Sequence, residues 1–171
     1  GSRLWTHAIG RPEFENDRCV RLHGTFQDIT RRKNFEMAVH EARTRLELAV
    51  RSANVGLWDW RPKVGKVYFS PEWKRQIGYE PHELPNEYEA WAGRLHPDDR
   101  PRVEMAIQDY FEGRTDDYNV EFRFRHRDGS YRWILAKGEA QDREDGVVTR
   151  MLGCHIDITE RVSLQKRLRQ S

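Results

Sequence analysis

The sequence predicts an α+β fold, an antiparallel sheet with its helices gathered on one face. Three observations predict it. Tyr118, Val120, Phe122 and Phe124 alternate with Asn119, Glu121, Arg123 and Arg125, and the run ends at the hairpin dipeptide Asp128-Gly129. Two short strand-like runs, GLWDW (56–60) and KVYF (66–69), stand well upstream of it. The stretch between them has helical periods and helix stop signals in place of alternation.

The first element is a repeat. Residues 22–30 read LHGTFQDIT and residues 151–159 read MLGCHIDIT. Gly24 and Gly153, and the two Asp-Ile-Thr triplets, lie 129 apart, whereas Trp5 and Trp133, and Gly10 and Gly138, lie 128 apart. The single-residue difference is expected in the polar turns, Asn16-Asp17 and Asp145-Gly146, where an insertion costs little. Residues 1–30 therefore read as the last two strands of a preceding domain, with Gly1-Ser2 as a tag scar, and the chain reads as a piece of a longer protein.

A helix follows over 31–53. Phe35, Val39, Ala42, Leu46, Ala49 and Ala53 recur at spacings of 4, 3, 4, 3 and 4, a heptad seam suited to pairing with a partner helix or to packing on its own domain. GLWDW and KVYF then flank a turn at Pro62–Gly65. Ser70-Pro71-Glu72 opens a helix with Ser as N-cap and Pro at the first helical position; Trp73 and Ile77 form its stripe, and Gly78 ends it. Leu84, Trp91 and Leu95 anchor the Pro-rich stretch 79–97. Asp98-Asp99 begin a stronger helix whose face is Val103, Ala106, Ile107, Tyr110 and Phe111. Three hairpin-linked strands complete the domain, over 118–127, 131–141 and 147–158.

Composition narrows the function. Hydrophobic residues are 37% and charged residues 34% of the 171, against a usual charged share of about 25%. Six Trp, six Tyr and seven Phe speak for a small aromatic core and against disorder. No apolar run approaches the length of a membrane span, and the N-terminus has no signal-peptide core. A net charge of +2 gives no electrostatic case for nucleic acid. Arg123, Arg125 and Arg127 alternate with aromatics, but they fall on the opposite strand face from Phe122 and Phe124. Cys19 and Cys154 are too far apart in sequence for a disulfide scaffold, and a reducing cytoplasm is the expectation.

GLWDW, YFSPEWKRQIGY (68–79), LHPDDR (95–100), FRFRHRDGSYRWI (122–134) and LGCHIDITER (152–161), in that order, resemble a PAS domain of the type with a PAC C-terminal half. The resemblance spans residues 46–161. It implies a five-stranded antiparallel sheet in order 2-1-5-4-3, helices on one face that enclose a small-ligand pocket, and signals leaving through the helix after the DIT motif. The implied organisation is 1–30 as the end of a preceding PAS/PAC domain, 31–53 as a coiled-coil-like linker, 54–160 as the sensor, and 161–171 as the start of an output helix. Such domains precede histidine kinases and, next in frequency, diguanylate cyclases or phosphodiesterases. The expected partners are a second copy through the linker helix and an output domain in the same parent. The pocket candidates are Trp58, Trp60, Phe69, Trp73, Ile77, Ile107, Phe122, Phe124 and Trp133. The joint to the output helix is Asp157, Thr159 and Glu160, spaced as a capping box. Val162, Leu164 and Leu168 begin that helix's stripe.

No chemistry of bond-making is written in the chain. It has no P-loop, HExxH, GxSxG or GxGxxG. The seven histidines include no metal-binding pair, and helix 99–112, where haem-binding relatives carry their ligand, has none. No cysteine lies between 20 and 153, where light-sensing relatives need one, and Cys154 reads as a small buried hydrophobe. His40–Leu46 resembles a kinase phosphoacceptor box only faintly, and its Ala42 is a seam residue. No cofactor is expected; a small-molecule ligand or a non-covalent flavin in a redox sensor is the alternative, supported by the tryptophans alone.

Overall fold

The computed structural model describes residues 3–170. The tag reading of Gly1-Ser2 lies outside the described residues. The chain divides into two compact units that part between Ala49 and Val50.

The first unit is a two-stranded antiparallel hairpin, β1 (Thr6–Glu15) and β2 (Arg18–Asp28), followed by most of helix α1 (Thr30–Ser52). Asn16 and Asp17 make the turn with φ of 46° and 62°, the twist that a two-residue hairpin needs. Every strand residue of this hairpin is exposed. So is the seam of α1, where Phe35, Val39 and Leu46 all face solvent. Ala53 is not part of the seam, because the helix stops at Ser52 and Asn54 turns the chain with φ 49°. Arg43 and Glu47 pair at 2.8 Å along the helix flank.

The second unit carries the core. β3 (Val55–Arg61) is joined by a short 3-10 turn, Pro62–Val64, to β4 (Lys66–Phe69). Helices α2 (Pro71–Gln76), α3 (Tyr88–Ala92) and α4 (Arg100–Phe111) follow, and then β5 (Tyr118–Arg125), β6 (Tyr131–Glu144) and β7 (Val147–Asp157). The sheet order is β4-β3-β7-β6-β5, which is 2-1-5-4-3 counted within the unit. All pairings are antiparallel. Helix α5 (Thr159–Gln170) leaves from the end of β7.

Local chemistry sets these boundaries. Ser70 caps α2 by accepting from the Trp73 N–H at 3.2 Å, and Leu57 donates to the same hydroxyl at 2.9 Å, pinning α2 to β3. Gly78 follows α2 with φ 85°. Lys74 is buried and donates to the carbonyls of Pro81 and Leu84 at 2.9 and 2.7 Å, which fastens the following loop. Asp99 stands at the N-cap of α4, yet its carboxylate caps nothing. It accepts instead from Arg123, from the backbone N–H at 2.9 Å and from Nε and Nη2 at 3.0 and 2.8 Å.

Two readings of the β6–β7 hairpin change. The one-residue difference between the repeats is not in the turns, which both have two residues. It is Gln141, an extra residue bulged out of β6 between the Ala140–Met151 and Asp142–Arg150 pairs. Cys154 is also not on the core face. Met151, Gly153 and His155 face the core, and Leu152, Cys154 and Ile156 lie on the other face, half-buried. Burial raises the Cys154 thiol, so it is not an activated nucleophile.

Candidate functional site

An aromatic cavity of about 40 Å³ lies between sheet and helices. Alternation puts Trp58 and Trp60 on the core face of β3, and Val67 and Phe69 join them from β4. Tyr88 and Trp91 come from α3, Ile107 from α4, Tyr118 from β5 and His155 from β7. Two glycines lie beneath the Trp58 ring. Gly138 and Gly153 are directly paired across β6 and β7. A Cβ added to them would meet the Trp58 ring at 2.5 and 2.1 Å, so the indole can lie there only against bare backbone. Trp60 stacks between Tyr88 and Phe111, each 5.4 Å away centroid to centroid.

The polar groups here are few and unusually placed. His155 is 3% exposed. Its ring is 5.5, 5.7 and 5.6 Å from those of Phe122, Phe124 and Trp73. Among the described residues nothing hydrogen-bonds to its imidazole, and Gln76 binds only its carbonyl, at 3.2 Å. Burial pushes its pKa down to about 3, so the ring is neutral at physiological pH. Among the described residues, the buried indole N–H groups of Trp58, which lines the cavity, and of Trp73, in the core beside it, have no acceptor. Each such orphan costs about 1–3 kcal/mol. An occupant that accepts hydrogen bonds would recover part of that cost.

Size limits what enters. A water needs roughly 10–15 Å³ of such volume, so this space suits a few waters or a very small polar molecule. Flavin and haem ring systems do not fit without displacing core aromatics, and α4 offers no histidine. Among the described residues no group of three or more His, Cys, Asp or Glu could hold a metal ion.

Of the residues expected to form a pocket, Trp58, Trp60, Phe69 and Ile107 line this cavity. Trp73, Ile77, Phe122 and Phe124 are buried in the surrounding core. Trp133 is elsewhere: it lies on the far face of β6, with the Arg123 guanidinium and the Lys166 ammonium 5.8 and 5.9 Å from its ring. Strand parity dictates this, since Ile134 and Ala136 take the core face. Val67, Tyr88, Trp91, Tyr118 and His155 line the cavity without being among the expected pocket residues, and of these His155 is the one whose inward face the sequence pattern hides. Leu152, Cys154 and Ile156 look more apolar than Met151, Gly153 and His155, so the pattern favours the wrong face. The signal that could have corrected it was Gly153, the mate of Gly138.

The joint at the end of β7 is a four-residue clamp. Asp157 accepts from the Thr159 N–H at 2.9 Å and from its hydroxyl at 2.6 Å. Thr159 Oγ1 in turn accepts from the Trp133 N–H at 2.9 Å, and Ile158 donates to the Trp133 carbonyl at 2.8 Å. Helix α5 is thereby bonded to β6 as well as to β7. Glu160 is exposed and does not reach back, so the reciprocal half of a capping box is absent among the described residues. The first unit makes the clamp with the same three backbone N–H bonds, but the Thr30 hydroxyl donates to the Trp5 carbonyl at 3.4 Å. Thr30 donates its N–H to Asp28 at 2.8 Å, Trp5 donates to Thr30 Oγ1 at 2.9 Å, and Ile29 donates to the Trp5 carbonyl at 2.9 Å.

The family model for the PAS fold matches residues 66–155, just over half of the 171. The chain belongs to the PAS family. A solved PAS-like structure, the Sensory Box Histidine Kinase/Response Regulator from Burkholderia thailandensis E264, is 46% identical. The match covers 73% of this chain and 92% of that one, with a TM-score of 0.64. Among curated relatives, the probable diguanylate cyclase DgcE of Escherichia coli is 29% identical over 84% of this chain. The sensor protein FixL of Bradyrhizobium diazoefficiens is 31% identical over 67%. The chain spans 13% and 22% of the lengths of these two. The PAS unit, Val50–Ser171, is thus a sensory module of the kind that larger signalling proteins carry. No helix among the described residues is long and apolar enough to cross a membrane.

Proposed function

We propose that this chain is the sensory and dimerisation module of a cytoplasmic multidomain signalling protein, itself without catalytic activity, and that it relays a conformational bias from α1 to α5. The favoured output is a histidine kinase, supported by the Burkholderia relative. The DgcE relative supports a diguanylate cyclase as the second reading. Residues 1–30 are the end of a preceding PAS/PAC domain, 31–53 the linker, 54–160 the sensor and 161–171 the beginning of the output helix. The pocket residues report on a small polar occupant, and nothing in the cavity favours flavin.

The observation that carries this reading is the clamp. Asp157 and Thr159 bind the output helix to β7 and β6, and β7 also brings His155 to the cavity, so a change at His155 reaches α5 along one strand and its hydrogen bonds. Loss of such a cap costs about 1 kcal/mol, small against a domain stability of about 5–15 kcal/mol. It is large against a signalling equilibrium, where it shifts the ratio about five-fold. Asp157→Ala is therefore expected to melt almost as wild type, to exchange its amides faster over residues 159–163, and to change the output of the parent protein. Unchanged exchange there, or global unfolding, would end the proposal.

Dimerisation rests on the exposed seam of α1. Val39→Asp together with Leu46→Asp puts two unpaired charges into that seam, each costing on the order of a few kcal/mol if the seam is buried in a dimer. Sedimentation is expected to show self-association in wild type and monomers in the double variant. Monomers in both would remove α1 as the dimer helix.

A further inference from the structure

Three polar side chains line the aromatic cavity with their hydrogen-bonding groups unspent. Trp58, Tyr118 and His155 are 9%, 5% and 3% exposed. Among the described residues, the Trp58 indole N–H, the Tyr118 hydroxyl and the His155 imidazole have no hydrogen-bond partner. Tyr110 on α4 shows the usual outcome for a buried phenol, since its hydroxyl accepts from the Ala140 N–H at 2.9 Å. Three orphans around one space mark a place shaped for a guest. Their chemistry is one-sided. The indole can only donate, and a neutral imidazole brings one N–H and one lone pair. Burial, and then the neighbouring Tyr88 phenol, keep the Tyr118 hydroxyl protonated well past the usual range, so it too has a proton to donate.

Charge and size narrow the guest further. Among the described residues, no Lys, Arg, Asp or Glu lines the cavity, so an ion would enter without a counter-charge and at a large desolvation cost. Trp60, Val67, Phe69 and Ile107 make the rest of the wall mostly apolar. A volume of about 40 Å³ holds roughly three water positions, and so a guest of roughly three to five non-hydrogen atoms. We propose that the cavity binds an uncharged, compact molecule with an apolar body and one carbonyl-type oxygen, which accepts from two of the three donors. A carbonyl oxygen has the two lone pairs that this requires. The inference rests on the sensory reading and gives its signal a chemical class. His155 then lies two residues before Asp157 on β7, beside the guest at one end and the clamp at the other.

Three probes of one shape test it: acetone, isobutene, which lacks the oxygen, and acetate, which adds a charge. Each is titrated into the 171-residue chain while the assigned Trp58 indole N–H resonance is followed by NMR. Acetone is expected to saturate in the millimolar range and to move that resonance downfield, and isobutene and acetate to bind at least about 10-fold more weakly. Tyr118→Phe removes one oxygen and no volume from the wall. It is expected to weaken acetone about five-fold and to leave isobutene unchanged, which also shows that the cavity of the variant is intact. Isobutene binding as tightly as acetone, or Tyr118→Phe weakening both alike, would overturn the acceptor. Acetate binding more tightly than acetone, with a proton taken up by His155, would overturn the uncharged guest. Saturable binding by none of the three would leave the space to water and overturn the site. Each of these failures leaves the relay itself standing, because the Asp157→Ala experiment needs no guest and fails or succeeds independently.

Discussion

Gly153→Ala is expected to cost more stability than any other single-methyl change in the PAS unit. The new Cβ would lie 2.1 Å from Trp58 Cζ2 and 2.2 Å from the Lys137 carbonyl oxygen. The indole could shift, but the carbonyl belongs to a strand paired on both sides and cannot. Overpacking usually costs about 1–3 kcal/mol and here has no way to relax, so a loss of about 3 kcal/mol or more is expected. For a unit of this size that is a fall of roughly 10 °C in melting temperature. Gly138→Ala meets only side-chain ends, Trp58 at 2.5 Å and the Met151 methyl at 2.8 Å, and is expected to lose about half as much. Thermal melts of both variants check the order. A Gly153→Ala protein melting within 2 °C of wild type would mean that the indole does not sit on this glycine pair.

Acid is expected to unfold the PAS unit in two separable stages. His155 is neutral in the fold, with its pKa depressed to about 3 from an ordinary 6.5. Below pH 6.5 the unfolded chain takes up a proton that the folded one refuses, so stability is full above that point. It falls as pH drops from 6.5 toward 3, by up to about 1.4 kcal/mol per unit. Asp99 follows lower down. Arg123, through hydrogen bonds and charge, holds its carboxyl at about 2 against 3.8. The contribution, about 2 kcal/mol, is present above pH 3.8 and disappears as pH falls through 2. Urea midpoints measured from pH 7.5 to 2.5 should therefore slope first through His155 and then through Asp99. His155→Phe should flatten the upper part of the curve, and Asp99→Asn should lower the whole curve above pH 4 and converge on wild type as pH falls toward 2. An upper slope that survives in His155→Phe would place the responsible proton elsewhere.

The elements were legible because the local signals agree with the fold. Ser70-Pro71 starts a helix, Asp128-Gly129 turns a hairpin, and the four alternating residues from Tyr118 to Phe124 are the buried ones in β5. The site was only half legible. Trp58 and Trp60 stood out by size, but the central strand β7 has neighbours on both edges and is covered on both faces, one fully and one in part, so alternation could not say that His155 faces inward. Trp133 misled for the converse reason, a large aromatic that belongs to the outer face. Asp99 was readable as a helix start but not as the partner of Arg123, which lies 24 residues away in sequence and meets it only through the tertiary fold. The indel was assigned to a turn, where insertions are usual, and lies in a bulge, which has no sequence mark of its own.

The Asp-Ile-Thr clamp occurs twice with its three backbone N–H bonds in common, and this makes it a repeated coupling. A helix bolted to its sheet by one fitting, whichever module supplies the sheet, leaves in a fixed direction, and the variable that remains is its length. Each residue added to α1 turns whatever follows by about 100° and advances it about 1.5 Å, so seven residues nearly restore the phase and one or two reverse it. Modules joined this way can be exchanged at the fitting without redesign of either neighbour. The 23 residues of Thr30–Ser52 then act as a dial for the phase of the helix.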